Sequence, residues 1–196
     1  QFGRAYFEFK GRNLFFEGAN RNKKSITLDL SKEEGREVAY RLAAKSDVFL
    51  TNLRSTTVAK MKMSYPILHE INPRLIYASI SAYGSAGPDS LRGGFDYQGQ
   101  ARSGMMFSMG EPDMPPLLIH FGVVDQTTAF MASHAILSAL VMRERSGIGQ
   151  QVEVSILGSA LALLHFNTLL ALLGHEMPRP KRTDTDPIRN YYQCKG

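Results

Sequence analysis

The sequence contains little that would support disulfide, metal or nucleic-acid chemistry. Its 196 residues include one cysteine, Cys194, which cannot form a disulfide within the chain and gives no reason to expect secretion. No histidines and cysteines have the spacing of a zinc site. The 23 lysines and arginines are scattered rather than gathered into a basic tail. We therefore expect no bound metal, no nucleic-acid partner and a cytoplasmic location.

Long hydrophobic runs are also scarce, and only one stretch comes near the length of a membrane span. Residues 156–173 are almost entirely apolar, but they include His165, Asn167 and Thr168 and lack basic flanks at both ends. A spanning helix needs about 20 mostly apolar residues. We therefore interpret the stretch as a buried core helix over residues 157–173 and expect no membrane association.

The chain does carry an excess of positive charge. Its formal net charge is +5 and its sequence pI is about 9.4. A basic balance suits an anionic partner such as a phosphorylated ligand. A solvated surface with a modest positive excess explains most of the same charge, so the composition leaves the partner open.

Hydrophobic periodicity in the first half of the chain predicts strands that alternate with helices. Strands are predicted in three short apolar or alternating runs: residues 25–30, 48–51 and 75–81. Helices are predicted between them, over residues 32–45 and about 56–70, the first with Ser31 and Glu34 as a capping box. This order is typical of βαβ units and a parallel sheet.

The second half adds a long helix and a further strand. Residues 96–106 are predicted to begin a helix, and residues 107–118 to form a loop rich in Gly, Pro and Met. Residues 125–145 predict a long apolar helix that stops at Gly147. A strand at 151–156 follows.

The two ends of the chain differ in composition. Residues 1–20 are rich in aromatic side chains and are predicted to form short strands or loops packed on the core. Residues 177–190 are polar and proline-rich, so we interpret them as a linker. The predicted organisation is an α/β, Rossmann-like domain over residues 1–176, with a parallel sheet flanked by helices, and a linker with the start of a smaller domain over residues 177–196.

One carboxylate, Asp125, stands at the predicted start of the long helix. A helix start presents unpaired N–H groups and the positive end of the helix dipole. That setting keeps a carboxylate ionised, as a carboxylate nucleophile requires. Aspartate is also a common N-cap, and on the local pattern alone this structural role is the better supported.

Five further segments follow one another in a recognisable order: NRNKKSITLDL (20–30), SDVFLTNLR (46–54), INPRLIYASISAYGSAGP (71–88), RGGFDYQGQARSGMM (92–106) and RERSGIGQQVEVSIL (143–157). Together with the stretch around Asp125, they resemble the family III CoA-transferases, the group of formyl-CoA transferase, carnitine CoA-transferase and the acyl-CoA racemases. The resemblance implies the incomplete large domain of such an enzyme and an interlocked homodimer. Because family members are about twice as long, it also leads us to expect uncovered apolar surface.

The resemblance implies that Asp125 is the nucleophile of CoA transfer. In this chemistry a carboxylate attacks an acyl thioester, and the resulting mixed anhydride is attacked by the released CoA thiolate. An incoming carboxylic acid then repeats these steps in reverse. One carboxylate and N–H donors for the oxyanions suffice. Acyl-CoA and the acid are therefore expected as small-molecule substrates, with no tightly bound cofactor.

CoA requires basic and polar groups for its phosphates. Arg54, in the loop after the second strand, offers a bidentate fork for anions, and the resemblance adds residues from four parts of the chain. The expected CoA-binding residues are Leu28, Asp29, Ser31, Asn52, Leu53, Arg54, Lys60, Arg92, Gly93, Gly94 and Phe95. Without the resemblance, Arg54 and Lys60 are better explained as solvated surface charges, and Leu28 as core.

Phe95 distinguishes two activities of the resembled family. Related racemases carry a histidine here, and racemisation needs two proton carriers on opposite faces of the α-carbon. Phenylalanine cannot carry a proton, so the sequence favours transfer. Gln100 fits the transferase pattern near the acyl group, or is a helix-surface glutamine. A racemase or epimerase, and an acyl-CoA-binding module without catalysis, remain the alternatives.

Overall fold

The computed structural model describes residues 8–176, 179, 181–190, 192 and 194, and it is an α/β structure. Its strands are β1 (Glu8–Phe9), β2 (Arg12–Asn13), β3 (Val48–Thr51), β4 (Ile76–Ser81) and β5 (Gln151–Ser155). Its helices are α1 (Leu14–Ala19), α2 (Glu33–Ala43), α3 (Ser55–Lys60), α4 (Tyr65–Ile71), α5 (Asp96–Arg102), α6 (Met105–Ser108), α7 (Val123–Ser146), α8 (Ile156–Leu163) and α9 (His165–Leu172). Two 3₁₀ turns follow, at Arg182–Asp184 and Pro187–Arg189.

A parallel sheet in the order β3-β4-β5 forms the centre of the fold. Thr51 pairs in register with Ser79, and Ser81 with Ser155. The C-terminal ends of all three strands therefore lie together, and this end of the sheet is called the sheet edge below. The loops after β3 and β4 leave from this edge, which is where ligands bind in parallel sheets. The predicted Rossmann-like sheet flanked by helices is confirmed, and its first two strands lie where the sequence predicted the runs at 48–51 and 75–81.

Helices cover both faces of the sheet. On one face, α2 and α4 pack around Leu68 and Leu75, which are fully buried. On the other face, α7 lies against β4 and β5, and its residue Val124 joins a second buried cluster with Ala160 of α8. Side chains alternate between the two faces along a strand, which is why β4 contributes to both layers.

Residues 25–30, predicted as the first strand, belong to no strand. Leu28 and Leu30 pack on the core beside α2, but no backbone ladder joins this segment to β3, which is an outermost strand of the sheet. Apolar alternation reports which side chains face the core. It does not report whether a hydrogen-bonding strand lies alongside, and this prediction was therefore wrong.

The predicted capping box of the first long helix is also wrong. The N-cap of α2 is Lys32, and no side chain caps the helix. Ser31 instead donates from Oγ and from its backbone N–H to Oδ1 of Asp29, at 2.6 and 3.0 Å. This local turn uses the hydroxyl that the cap would need.

Three predicted helices are interrupted. The helix predicted at about 56–70 divides into α3 and α4, because Lys62 has a left-handed backbone (φ 56°) and Pro66 lies in the first turn of α4. Gly104, also left-handed at φ 80°, separates α5 from α6. Leu164 separates α8 from α9.

Apolar side chains remain uncovered on several helices, as expected. Phe130 of α7 is 75% exposed, and Leu172 of α9 is 80% exposed. The prediction of one buried helix over residues 157–173 is therefore wrong in part: the stretch divides into α8, which buries Ser159 and Ala160, and α9, which buries none of its residues. Within the described ranges, no helix has both the length and the apolarity that crossing a bilayer requires.

The ends of the chain are described only in part. Residues 1–7 lie outside the described residues, as do Met177, Pro178 and Pro180 in the predicted linker. Residues 8–19 form a short hairpin followed by α1, a helix that the sequence did not predict. The side chain of Asn13 caps α1 by accepting from Phe16 N–H at 3.0 Å.

Candidate active site

Asp125 lies in the first turn of α7. Two residues with left-handed backbone, Phe121 (φ 70°) and Gly122 (φ 72°), precede the helix, and Gly122 is the N-cap. Asp125 is the third helical residue, so its interpretation as an N-cap is wrong. Among the residues the structure describes, none donates a hydrogen bond to its carboxylate, which is partly exposed and partly buried against its surroundings.

A second carboxylate, that of Asp96, accepts hydrogen bonds from backbone N–H groups at the start of α7. Oδ2 of Asp96 accepts from the backbone N–H of Val124 at 2.7 Å and of Asp125 at 3.0 Å. Asp96 is also the first residue of α5, so it joins the two helices. The sequence gives no sign of this role, because Asp96 and Asp125 lie 29 positions apart.

Gln100 lies behind Asp96 and is fully buried. Its Oε1 accepts from the N–H of Ile119 at 3.0 Å, and its Nε2 donates to the Ile119 carbonyl at 2.8 Å and to Oδ1 of Asp96. The helix-surface interpretation of Gln100 is therefore wrong. The structure places this residue next to the carboxylate that holds α7.

The surroundings of Asp125 raise the pKa of its carboxyl group. Partial burial is the larger cause, and the negative charge of Asp96 is the second. The dipole at the helix start was expected to favour the ionised carboxylate. The N–H groups of Val124 and Asp125 are bonded to Asp96, whose negative charge opposes that effect.

Arg54 and the Gly93–Gly94 pair bring the two loops at the sheet edge together. A Cβ placed on Gly93 would lie 2.6 Å from Nη2 of Arg54, and one on Gly94 would lie 3.0 Å from Cβ of Ala82. Gly93 precedes Asp96 by three residues, and three residues span roughly 10 Å at most. The loop after β3 that carries Arg54, called the basic loop below, therefore lies near the start of α7.

The other residues predicted around this edge take different environments. Asn52, Leu53 and Lys60 are exposed, and Leu53 N–H donates to Oγ1 of Thr51 at 3.1 Å. Arg92 forms an ion pair with Asp89 at 2.9 Å. Phe95 is 65% exposed, and its ring stacks on Tyr97 at 5.9 Å.

The predicted residues before α2 form a separate turn. Leu28 packs on the core, and Ser31 is hydrogen-bonded to Asp29. These bonds, first the one from the Ser31 hydroxyl, lower the pKa of the Asp29 carboxyl. Arg36 closes the turn by donating to the carbonyl oxygens of Leu30 and Ser31. Among the described residues, no hydrogen bond or ion pair joins this turn to Arg54 or Asp125.

Nothing in the described part of the chain gathers three or more His, Cys, Asp or Glu side chains in a way that could hold a metal ion. What the sheet edge does gather is an unpaired carboxylate at a helix start, a basic loop and a glycine pair that permits close backbone approach. This combination lies in a Rossmann-like α/β domain, and its basic loop suits an anionic ligand bound beside the carboxylate.

Comparison with known proteins gives the family. A sequence model described as CoA-transferase family III matches residues 2–196, and the chain belongs to this family. It is 41% identical over 150 residues to an acyl-CoA transferase of Fusarium pseudograminearum. It is 38% identical over 156 residues to succinyl-CoA–D-citramalate CoA-transferase of Chloroflexus aurantiacus.

The aligned segments cover 76% and 80% of this chain but only 33% and 39% of those two relatives. Among solved structures, the chain matches a CaiB/BaiF family protein from Brucella suis with a TM-score of 0.82 and 34% identity. That match covers 90% of this chain and 48% of the other. The chain thus spans less than half the length of the relatives it matches.

Proposed function

We propose that the full-length protein transfers CoA between an acyl-CoA thioester and a carboxylic acid, with Asp125 as the covalent carrier. Membership of family III supports CoA transfer in general. The observation that carries the proposal is the position of Asp125. Its backbone N–H is fixed by Asp96, while its carboxylate oxygens accept no hydrogen bond from any described residue. A carboxylate held in this way is free to attack a ligand bound at the sheet edge.

The proposed reaction needs four balanced steps. A carboxylate oxygen of Asp125 attacks the thioester carbonyl, and CoA leaves as a thiolate, which gives an aspartyl–acyl anhydride. The thiolate attacks the aspartyl carbonyl, the first acid leaves as a carboxylate, and Asp125 becomes a CoA thioester. The second carboxylate attacks that thioester and releases CoA thiolate. The thiolate finally attacks the acyl carbonyl of the new anhydride, which forms the new acyl-CoA and restores Asp125.

The raised pKa of Asp125 suits the first step. The reactive form is the carboxylate, and a more basic carboxylate is the better nucleophile once it is ionised. Two of the N–H groups at the start of α7 are bonded to Asp96. The oxyanion of each tetrahedral intermediate must therefore find other donors.

Arg54 is the residue we propose for the CoA phosphates. Its guanidinium reaches the loop after β4 and has no hydrogen bond or ion pair with a described residue. We extend the same role to the exposed residues Asn52, Leu53 and Lys60 and to the loop 92–95. For Leu28, Asp29 and Ser31 the role stays a proposal without support from a contact to this edge.

The remaining proposals concern the whole protein. Residues 1–176 are proposed as part of the large CoA-binding domain and residues 177–196 as a linker into a smaller one. We also propose an interlocked homodimer in the cytoplasm. The uncovered apolar side chains of α7 and α9 support a further covering layer of some kind.

The test is acyl exchange by the full-length protein with Asp125 replaced. Asp125→Ala is expected to abolish CoA exchange between a succinyl-CoA donor and a panel of carboxylic acids, while circular dichroism stays unchanged. Normal turnover by this variant would contradict the proposal. Deuterium exchange at the α-carbon without CoA exchange would support a racemase instead. Tight acyl-CoA binding without either reaction would support a binding module.

A further inference from the structure

Asp96 makes hydrogen bonds through both of its carboxylate oxygens, and every partner is a donor. Oδ2 accepts from two backbone N–H groups of α7, and Oδ1 accepts from the side chain of Gln100. Because α5 begins at Asp96 and the two donors are the second and third residues of α7, this one side chain fixes the start of one helix against the start of another.

The orientation of Gln100 fixes the polarity of the whole chain of bonds. Both backbone groups of Ile119 are bonded to the amide of Gln100, so the oxygen must face the N–H and the nitrogen must face the carbonyl. The second hydrogen of Nε2 can then only be donated towards Asp96. An aspartate, which accepts at both oxygens, fits this position, whereas an asparagine would place its own NH₂ against that of Gln100 or against the helix N–H groups.

The carboxylates of Asp96 and Asp125 flank one glycine. A Cβ built on Gly122 would lie 3.8 Å from Oδ2 of Asp125 and 3.9 Å from Oδ2 of Asp96. Other charged groups near this point are few: Arg102 lies at the far end of α5, His120 lies in the segment before α7, and α8 carries none. Among the described residues, Asp96 is the charge that acts on Asp125.

We propose that Asp96 is a positioning residue for the transfer reaction, which fixes the first turn of α7 and places its own charge beside the carboxylate of Asp125. Gln100 supports this role by holding the second oxygen of Asp96. The inference rests on the proposed function of Asp125. It differs from a purely structural helix cap, which would hold α7 but leave the reactivity of Asp125 unchanged.

The matched substitutions are Asp96→Asn and Asp96→Glu in the full-length protein. Asn removes the charge, and Glu keeps it on a longer side chain. With Asp96→Asn, the acid limb of the pH profile of kcat is expected to move to lower pH, because a neighbouring negative charge no longer opposes ionisation of Asp125. The plateau kcat is expected to fall by about tenfold to a hundredfold with little change in KM for acyl-CoA. Asp96→Glu is expected to keep the acid limb of the unmodified protein.

Glu144→Gln is the control, because it removes one negative charge from α7, the helix that carries Asp125, at a point far from Asp125. Glu144 lies 19 residues after Asp125, about 28 Å along α7, which is beyond the range of an exposed charge at physiological salt. This variant is expected to leave the pH profile unchanged. An NMR titration of the Asp125 carboxyl in the Asp96→Asn variant is expected to show a lowered pKa without any need for turnover.

Two results would overturn the proposal. One is a lower melting temperature for Asp96→Asn with an unmoved acid limb and an unmoved titration of Asp125, which is what a structural cap alone predicts. The other is no change in any of these measurements. Failure of the proposed function looks different, because Asp125→Ala would then retain turnover whatever Asp96 does.

Discussion

The guanidinium of Arg54 occupies the space where Gly93 would carry a side chain. A Cβ at residue 93 would lie 2.6 Å from Nη2 and 3.2 Å from Nε of Arg54. This contact joins the loop after β3 to the loop after β4. It also explains why a glycine suits residue 93, whose backbone conformation is not left-handed.

Gly93→Ala is expected to displace the Arg54 side chain rather than to unfold the protein. The atoms in the way are the flexible end of an arginine, so the new methyl group moves them at little cost. We predict a raised KM for acyl-CoA with the melting temperature nearly unchanged. Gly18→Ala is the control, because a Cβ there meets no atom within 4 Å. Equal effects of both variants on KM would contradict this account of Arg54.

Arg54 itself is expected to bind a CoA phosphate. A charge-assisted hydrogen bond contributes about 1.5–3 kcal/mol, so Arg54→Ala is predicted to raise the Kd for CoA by about tenfold to a hundredfold. Arg54→Lys is predicted to recover only part of the loss, because lysine lacks the bidentate fork. Arg41→Ala, which removes an exposed arginine from α2, serves as the control. Calorimetry of CoA binding measures all three, and an unchanged Kd for Arg54→Ala would exclude the residue from the site.

Asp29 and Asp125 are predicted to titrate on opposite sides of the ordinary aspartate pKa of 3.8. For Asp29, whose folded-state pKa is lowered, the stabilisation is present above the unfolded value and is lost as pH falls through the folded value. For Asp125, whose pKa is raised, the sign is reversed, and stability is lost as pH rises through the folded value. Ser31→Ala is expected to raise the pKa of Asp29 and to leave that of Asp125 unchanged. Carboxyl NMR titrations that show the two groups in the reverse order would contradict both assignments.

The uncovered side chain of Leu172 offers a test of what lies outside the described structure. In residues 1–196 alone, Leu172→Ala is predicted to change the free energy of unfolding by less than about 0.5 kcal/mol, since the side chain is 80% exposed. Leu68→Ala, at a fully buried position, is predicted to cost about 2–5 kcal/mol. In the full-length protein, Leu172→Ala is expected to become clearly destabilising. Denaturant unfolding compares the two lengths, and equal small effects in both would mean that α9 stays uncovered.

Residues 1–196 alone are predicted to be inactive. Arg54 and Asp125 lie at an open sheet edge, and the described structure provides no residue that closes over them. Exchange assays on this segment should therefore show no CoA transfer, even though it contains the proposed nucleophile. Measurable exchange would show that the segment is sufficient.

The sequence predicted those features that depend on local pattern. The apolar run at 48–51 and the alternation at 75–81 each identify one strand, and Gly147 stops α7 where a left-handed residue is needed. The apolar alternation at 25–30 predicted a strand, and it did identify Leu28 and Leu30 as side chains that pack on the core. Whether a ladder partner lies beside them depends on residues far away in the chain.

The site was harder to predict for the same reason. Asp125 was found through the resemblance, but no local pattern shows what raises the pKa of its carboxyl group, which is partial burial first and then the charge of Asp96, 29 positions earlier. Gln100 was placed near the reaction by its motif, and only the structure shows that it reaches the site through Asp96. A lone FDYQGQ segment gives no signal that its aspartate caps a distant helix.

The central claim is that Asp125 carries CoA, and covalent trapping tests it most directly. The full-length protein, incubated with an acyl-CoA donor and then digested at acidic pH, is expected to yield a peptide containing Asp125 whose mass is increased by CoA joined as a thioester. The peptide from the Asp125→Asn variant should lack this increment. A CoA adduct on another side chain, or rapid exchange by a protein that never shows the adduct on Asp125, would contradict the account.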